Sequence, residues 1–220
     1  MDNKKNTGGL MLITESRLFT DKESLLRACE GALRGGVDTI QLREKTLGAR
    51  ELLALGRALR KLTEKFNAKL LINERVDIAM LVPAHGVHLP AKAFSPSAAR
   101  SLMGDKAIIG VSTHSVKEAQ EAEAEGADYV TLGPVYFTKS KAPYGEPIGT
   151  GPITEAAGKL KIPVYALGGI NEERAAVVLR AGAGGIAVIS AILAKRETEL
   201  RAREIADEFI KYNERRRRAL

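Results

Sequence analysis

The residues best suited to chemistry sit at the ends of short apolar runs. Gln41-Leu42-Arg43-Glu44-Lys45 closes one such run. Side chains alternate across a strand, so Gln41 and Arg43 share a face. Polar groups at the end of an apolar strand need a partner or water. Arg43 offers a bidentate anion clamp and Lys45 a point cation; the alternative is a surface ion pair between Glu44 and a lysine. The next run ends Asn73-Glu74-Arg75. There Glu74 is a hard oxygen donor able to hold Mg2+, or equally a neighbour ion-paired to Arg75. A later run ends Ser112-Thr113-His114, two hydroxyls and an imidazole, for which plain helix capping is the competing reading. His88 lies inside its own run and reads first as a packed, hydrogen-bonded histidine. Farther on, Thr138, Ser140 and Lys141 cluster as anion donors in the segment that begins Gly133-Pro134-Val135.

Two glycine-rich run ends complete the set: Val164 to Leu167 followed by Gly168-Gly169-Ile170, and Gly184 to Val188 followed by Ile189-Ser190-Ala191. Small residues there expose backbone N–H groups where a helix begins, an arrangement suited to a phosphate. With Arg43 and Lys45, and with the Thr138–Lys141 cluster, they make two anion sites. That pairing fits two phosphorylated ligands, or one ligand with a leaving pyrophosphate. Preplaced cations stabilise the charge that develops on such a leaving group, and a metal would add to them.

The elements that must position these groups alternate along the whole chain. Eight strand candidates begin with Leu10–Ile13, Asp38–Arg43, Lys69–Asn73 and Gly86–Leu89. Ala107–Val111, Asp128–Leu132 and the two glycine-ended runs follow. Helical spacing joins Leu52, Leu55, Leu59 and Leu62, and again Ala202, Ile205, Ala206, Phe209 and Ile210. Ser115 reads as a helix N-cap with Glu118 closing a capping box, and Asn171 caps the acidic turn Glu172-Glu173. Eight strands alternating with helices predict a parallel sheet. Their even spacing, and phosphate-type turns after the seventh and eighth, favour a closed (β/α)8 TIM barrel over an open sheet. No Gly-x-Gly-x-x-Gly follows the first strand, so dinucleotide binding has no support. The chain is expected to form one domain over residues 1–220, with 1–8 a loose arm and 212–220 a basic tail. The long irregular stretch Thr138–Gly151 is expected to be functional.

Bulk properties narrow the class. The 220 residues are 45% hydrophobic and 28% charged, ordinary for a soluble globular enzyme. No apolar run approaches a membrane span, and the N-terminus lacks a secretion signal. The single cysteine, Cys29, reads as a buried thiol, and the cytoplasm is the default compartment. The net charge of +7 owes part to Arg215–Arg218. This run is read as a solvated helix end rather than a nucleic-acid contact, since no zinc spacing or aromatic platform accompanies it.

Taken together and in order, Gln41-Leu42-Arg43-Glu44-Lys45, Asn73, Gly86-Val87-His88-Leu89, Gly110-Val111-Ser112, Gly133-Pro134-Val135 with Thr138-x-Ser140-Lys141, Gly168-Gly169-Ile170 and Val188-Ile189-Ser190-Ala191 resemble thiamine phosphate synthase and its TenI-like relatives. The resemblance spans nearly the whole chain. It implies a (β/α)8 barrel that joins hydroxymethylpyrimidine pyrophosphate to thiazole phosphate and releases pyrophosphate, with Mg2+ as cofactor. It further implies that Gln41, Arg43, Lys45 and Asn73 hold the pyrimidine pyrophosphate, and that Ser112 and Lys141 complete the pyrophosphate pocket. Arg43, Lys45 and Lys141 would be the catalytic cations. Thr138 and Ser140 would approach the thiazole, and Gly168, Gly169, Ile189 and Ser190 would hold its phosphate. Barrels of this kind commonly pair, so a homodimer is compatible with the chain.

The sequence departs from the synthase pattern at the metal. Glu74 stands where the first acidic ligand is usually Asp, and the second falls on Ala93 within Pro90-Ala91-Lys92-Ala93. Lys92 is the one neighbouring cation that could compensate. The stretch Pro90–Pro96 looks closer to the TenI-like branch, which includes thiazole tautomerases. Yet Pro134 stands where the tautomerase places its catalytic histidine, so His88, His114 or Glu44 would have to serve as its acid or base. Three readings stay open: a synthase, a tautomerase acting on a carboxythiazole phosphate, and a non-catalytic binder of thiazole or thiamine phosphate.

Overall fold

The computed structural model describes residues 8–138 and 146–218, with side chains to residue 214. Eight parallel strands form a closed barrel in chain order: β1 (Gly9–Ile13), β2 (Thr39–Leu42), β3 (Lys69–Asn73), β4 (Gly86–Leu89), β5 (Ile108–Thr113), β6 (Tyr129–Leu132), β7 (Val164–Leu167) and β8 (Gly185–Val188). The ring closes where Leu10 pairs with Ile186 and Leu12 with Val188. All eight expected strands are present. Several differ by one residue at an end, and the fifth runs on through Ser112 and Thr113. Ser112 is therefore a strand residue, and the cap of the following helix is Ser115, whose Oγ accepts from the Glu118 amide. The Glu118 carboxylate accepts from the His114 amide at 2.7 Å, one residue earlier than a closed capping box requires.

Helices α1 (Lys22–Arg34), α2 (Ala49–Lys65), α3 (Val76–Leu81), α4 (Pro96–Met103), α5 (Val116–Ala124), α6 (Gly151–Lys159), α7 (Glu172–Arg180), the single turn α8 (Ser190–Leu193) and α9 (Thr198–Arg218) surround the strands. Their apolar stripes make the outer core. Leu52, Leu55 and Leu59 of α2 are buried against strand residues such as Ile40 and Leu70. In α9, Ala202 and Ile205 are buried, but Ile210 is 58% exposed, so the expected apolar stripe ends before it. Residues 212–218 continue α9 as helix. Cys29 lies in the outer core, where burial raises its thiol pKa to about 12 and keeps it unreactive.

The barrel interior has its own core of Met11, Ile13, Leu71, Ile108, Tyr129, Tyr165 and Ala187. Strand alternation explains the division, since Leu10 and Leu12 face the helices while Met11 and Ile13 face inward. Tyr129 and Tyr165 pack at 5.1 Å between ring centroids and fill the centre. Gly110 makes room for Tyr129 and Gly185 for Tyr165: a Cβ at either position would overlap the ring. Burial raises the pKa of both phenols, so they stay neutral hydroxyls. The plug occupies the barrel below the strand ends and leaves the C-terminal mouth open. No helix among the described residues is long and apolar enough to cross a membrane.

Candidate functional site

A cavity of about 590 Å3 opens at the C-terminal ends of the strands. This is the face on which barrels of this type build their sites, and the size suits a small-molecule ligand. It is lined by residues from the ends of β1 to β5, from the loop after β6, and from the turns after β7 and β8.

The side after β1 and β2 is cross-tied. Thr14, fully buried, accepts the Arg43 amide on Oγ1 at 2.9 Å. The Glu44 carboxylate, 8% exposed, accepts from the Ser16 amide at 3.0 Å and from Ser16 Oγ at 2.6 Å. Glu44 is thus a latch between two loops, and among the described residues no lysine pairs with it. Beside it, Glu15 and Arg17 form a fork at 2.6 and 2.8 Å. The Arg17 hydrogen bond holds the Glu15 carboxyl below its ordinary pKa. Gln41, 1% exposed, donates from Nε2 to Met11 Sδ at 3.5 Å and lines the cavity floor. Arg43, Lys45 and Asn73 line the same space.

The centre of the floor is a relay. His88 Nδ1 lies 2.8 Å from the Tyr129 hydroxyl, and Nε2 lies 2.8 Å from Ser112 Oγ. Both ring nitrogens are engaged, so His88 orients Ser112 from below. The wall after β6 and β7 is a pair of loops zipped together. The amides of Val135 and Tyr136 donate to the carbonyls of Leu167 and Gly168 at 2.9 and 3.0 Å. Gly168 and Gly169 hold φ of +103° and +63°, which L side chains adopt at a cost. A Cβ at Gly169 would also meet the Phe137 carbonyl at 2.7 Å. Asn171 caps α7 by accepting the Arg174 amide, and Ile189 and Ser190 begin α8 at the rim.

One cavity therefore brings together Gln41, Arg43, Lys45, Asn73, Ser112, Thr138, Gly168, Gly169, Ile189 and Ser190. Ser140 and Lys141 lie outside the described residues. Glu74 is exposed, sits at φ +65° and is not among the cavity's lining residues. Its neighbour Arg75 pairs with Asp77 instead. Lys92 and His114 also lie outside the lining, so the compensation expected of Lys92 is not supported by its position. Sequence reasoning missed Arg17, Arg174 and Lys195, which line the cavity as well. Nothing in their local sequence marks them; the fold brings them to the rim.

The donor set does not fit a protein-held Mg2+. That ion demands near-octahedral oxygen ligation, commonly through one or two carboxylates plus substrate phosphates. Position 93 carries no carboxylate, Glu74 stands apart from the cavity, and Glu15 and Glu44 are committed to Arg17 and Ser16. Among the described residues no group of three potential metal ligands assembles. Among the described residues, charge at the site comes instead from five cationic side chains, Arg17, Arg43, Lys45, Arg174 and Lys195, set against two carboxylates. Such an excess in a concave site attracts and holds a polyanion.

Comparison with known proteins agrees with this geometry. The sequence pattern described as thiamine monophosphate synthase matches residues 10–192. The thiamine-phosphate synthase of Clostridium novyi is 43% identical over 198 residues, covering 90% of this chain and 97% of its own. That of Moorella thermoacetica is 43% identical over 182 residues, covering 83% and 87%. The solved thiamine phosphate pyrophosphorylase of Pyrococcus furiosus is 36% identical and superposes with a TM-score of 0.85, covering 96% of this chain and 99% of its own. A 3-hexulose-6-phosphate synthase, 19% identical with a TM-score of 0.71, shares the fold alone. By sequence and by fold, the chain belongs to the thiamine monophosphate synthase family.

Proposed function

We propose that the chain is a thiamine-phosphate synthase. It couples hydroxymethylpyrimidine pyrophosphate with thiazole phosphate to give thiamine phosphate and pyrophosphate. The observation that carries this reading is the cavity itself. Arg43 and Lys45 after β2 and the glycine turns after β7 and β8 line the same mouth, which gives room for two anion subsites. Gln41 and Asn73 take the pyrimidine, Arg43, Lys45, Ser112 and Lys141 the pyrophosphate, and Thr138 and Ser140 the thiazole. The backbone around Gly168, Gly169, Ile189 and Ser190 takes the thiazole phosphate. The C–O bond to pyrophosphate breaks with its electron pair leaving on oxygen. The pyrimidine-stabilised cation is then captured by the thiazole nitrogen lone pair, forming the new C–N bond. Cations fixed beforehand lower the barrier because they need no reorganisation as the charge departs. No step runs through a protein-held metal, since the described residues do not form a site for one.

The tautomerase reading needs an uncommitted acid or base near the ring. Its three candidates are engaged or displaced: His88 is bonded at both nitrogens, Glu44 is latched to Ser16, and His114 lies outside the cavity. We place the enzyme in the cytoplasm, where a lone thiol such as Cys29 stays reduced. The test incubates the protein with both substrates and Mg2+ and follows thiamine phosphate and pyrophosphate by chromatography. One-to-one formation of both products is expected. Tight binding of thiazole phosphate with no product would convert the chain to a binder, and acceleration of carboxythiazole isomerisation alone would make it a tautomerase.

A further inference from the structure

Arg174 does two things from the first turn of α7. Its Nη1 donates to the Gly169 carbonyl at 2.6 Å, and its guanidinium carbon lies 4.5 Å from the centroid of the Tyr136 ring. The first contact holds the turn after β7; the second holds the loop after β6. Those two segments already meet through the Tyr136 amide and the Gly168 carbonyl. Among the described residues, the amides of Gly169 and Ile170 donate to no protein acceptor. They line the cavity and stand available to a ligand. The Gly169 carbonyl and the Ile170 N–H belong to one planar peptide unit and point in opposite directions. Fixing the carbonyl therefore fixes the amide.

We propose that Arg174 is the positioning residue of the phosphate subsite: by gripping the Gly169 carbonyl and the Tyr136 ring at once, it sets the turn whose amides receive the thiazole phosphate. The inference rests on the synthase reading for the identity of that ligand. A glycine pair with positive φ at both positions is intrinsically free to move, so a turn of this composition needs an external hold to stay preorganised. Arginine suits the task because its planar fork can donate at an edge while stacking by its face; an ammonium cannot do both.

The test uses the full chain and two readouts. By calorimetry, Arg174→Ala should weaken thiazole phosphate binding about tenfold while inorganic pyrophosphate, a probe of the opposite subsite, changes less than about twofold. Arg174→Lys should fall between, Tyr136→Leu should move in the same direction, and Tyr136→Phe, which keeps the ring, should restore wild-type affinity. By hydrogen exchange, the Val135 and Tyr136 amides should exchange at least about fivefold faster in Arg174→Ala, with those of β4 unchanged. Unchanged exchange, or faster exchange with unchanged thiazole phosphate affinity, overturns the proposal. If the wild-type protein binds no thiazole phosphate, the synthase reading itself falls and the ligand assignment falls with it.

Discussion

Removing the Glu44 carboxylate should loosen the anion site without touching any residue that faces the leaving group. The carboxylate is almost wholly buried and accepts the Ser16 amide and hydroxyl at 3.0 and 2.6 Å. In Glu44→Ala two half-buried donors on Ser16 lose their acceptor. A hydrogen bond to a charged group contributes about 1.5–3 kcal/mol. The two bonds share one acceptor and are not additive, so a loss of about 3 kcal/mol is expected. For a domain of this size that lowers Tm by roughly 6–12 °C. Glu44→Gln keeps one acceptor oxygen but sets an amide N–H against a Ser16 donor, so about half the loss is expected. The loop after β1 carries Glu15 and Arg17, and the residues flanking Glu44 are Arg43 and Lys45. Unlatching should therefore raise KM for the pyrimidine pyrophosphate several-fold, on the order of one to two kcal/mol of binding. Urea denaturation gives the stability term, and steady-state kinetics with each substrate varied gives the other. A Glu44→Ala protein with unchanged Tm and unchanged KM for the pyrophosphate substrate would refute the latch.

Tyr129→Phe removes the hydroxyl that pairs with Nδ1 of the buried His88. It should cost about 1–3 kcal/mol in denaturant unfolding and lower kcat through a less ordered Ser112; a silent variant would refute the relay. Gly169→Ala places a Cβ 2.7 Å from the Phe137 carbonyl at positive φ, so thiazole phosphate affinity should fall at least about tenfold in a protein that still folds. The Glu15–Arg17 pair titrates with a definite sign. The carboxyl lies below its ordinary value of 4.5 because Arg17 bonds to it, so its contribution is complete above that pH and is lost as pH falls through the depressed value. Arg17→Ala should return the Glu15 titration, followed by NMR, toward the ordinary value, and an unmoved titration would discard the fork. Without substrate, Mg2+ should bind the protein no tighter than about 1 mM by calorimetry; a micromolar site would show that the donor set had been misjudged.

The barrel was readable because each strand is a compact apolar run buried on both faces, closed by glycine or polar residues. The phosphate turns were readable for the same local reason, since Gly168-Gly169 and Ile189-Ser190 stand directly at run ends. The contacts that hold the site were not. Glu44 meets Ser16 across a separation of 28 residues, and His88 meets Tyr129 across 41. Pairings at that range have no periodic signature. Arg174 reads in sequence as one more charge in the first turn of a helix, and only the fold brings Gly169 and Tyr136 to it. Glu74 is the converse case. Its residue type suits a metal, yet it is exposed and is not among the residues that line the cavity.

The two tyrosines wedged across the barrel axis give the enzyme a blind end. Nothing can pass through the molecule, so two reactants and two products must share a single doorway. Whichever group settles against Gln41 and His88 has to arrive before its companion. The order of entry is thus imposed by the shape of the barrel and not by the bond exchange inside it.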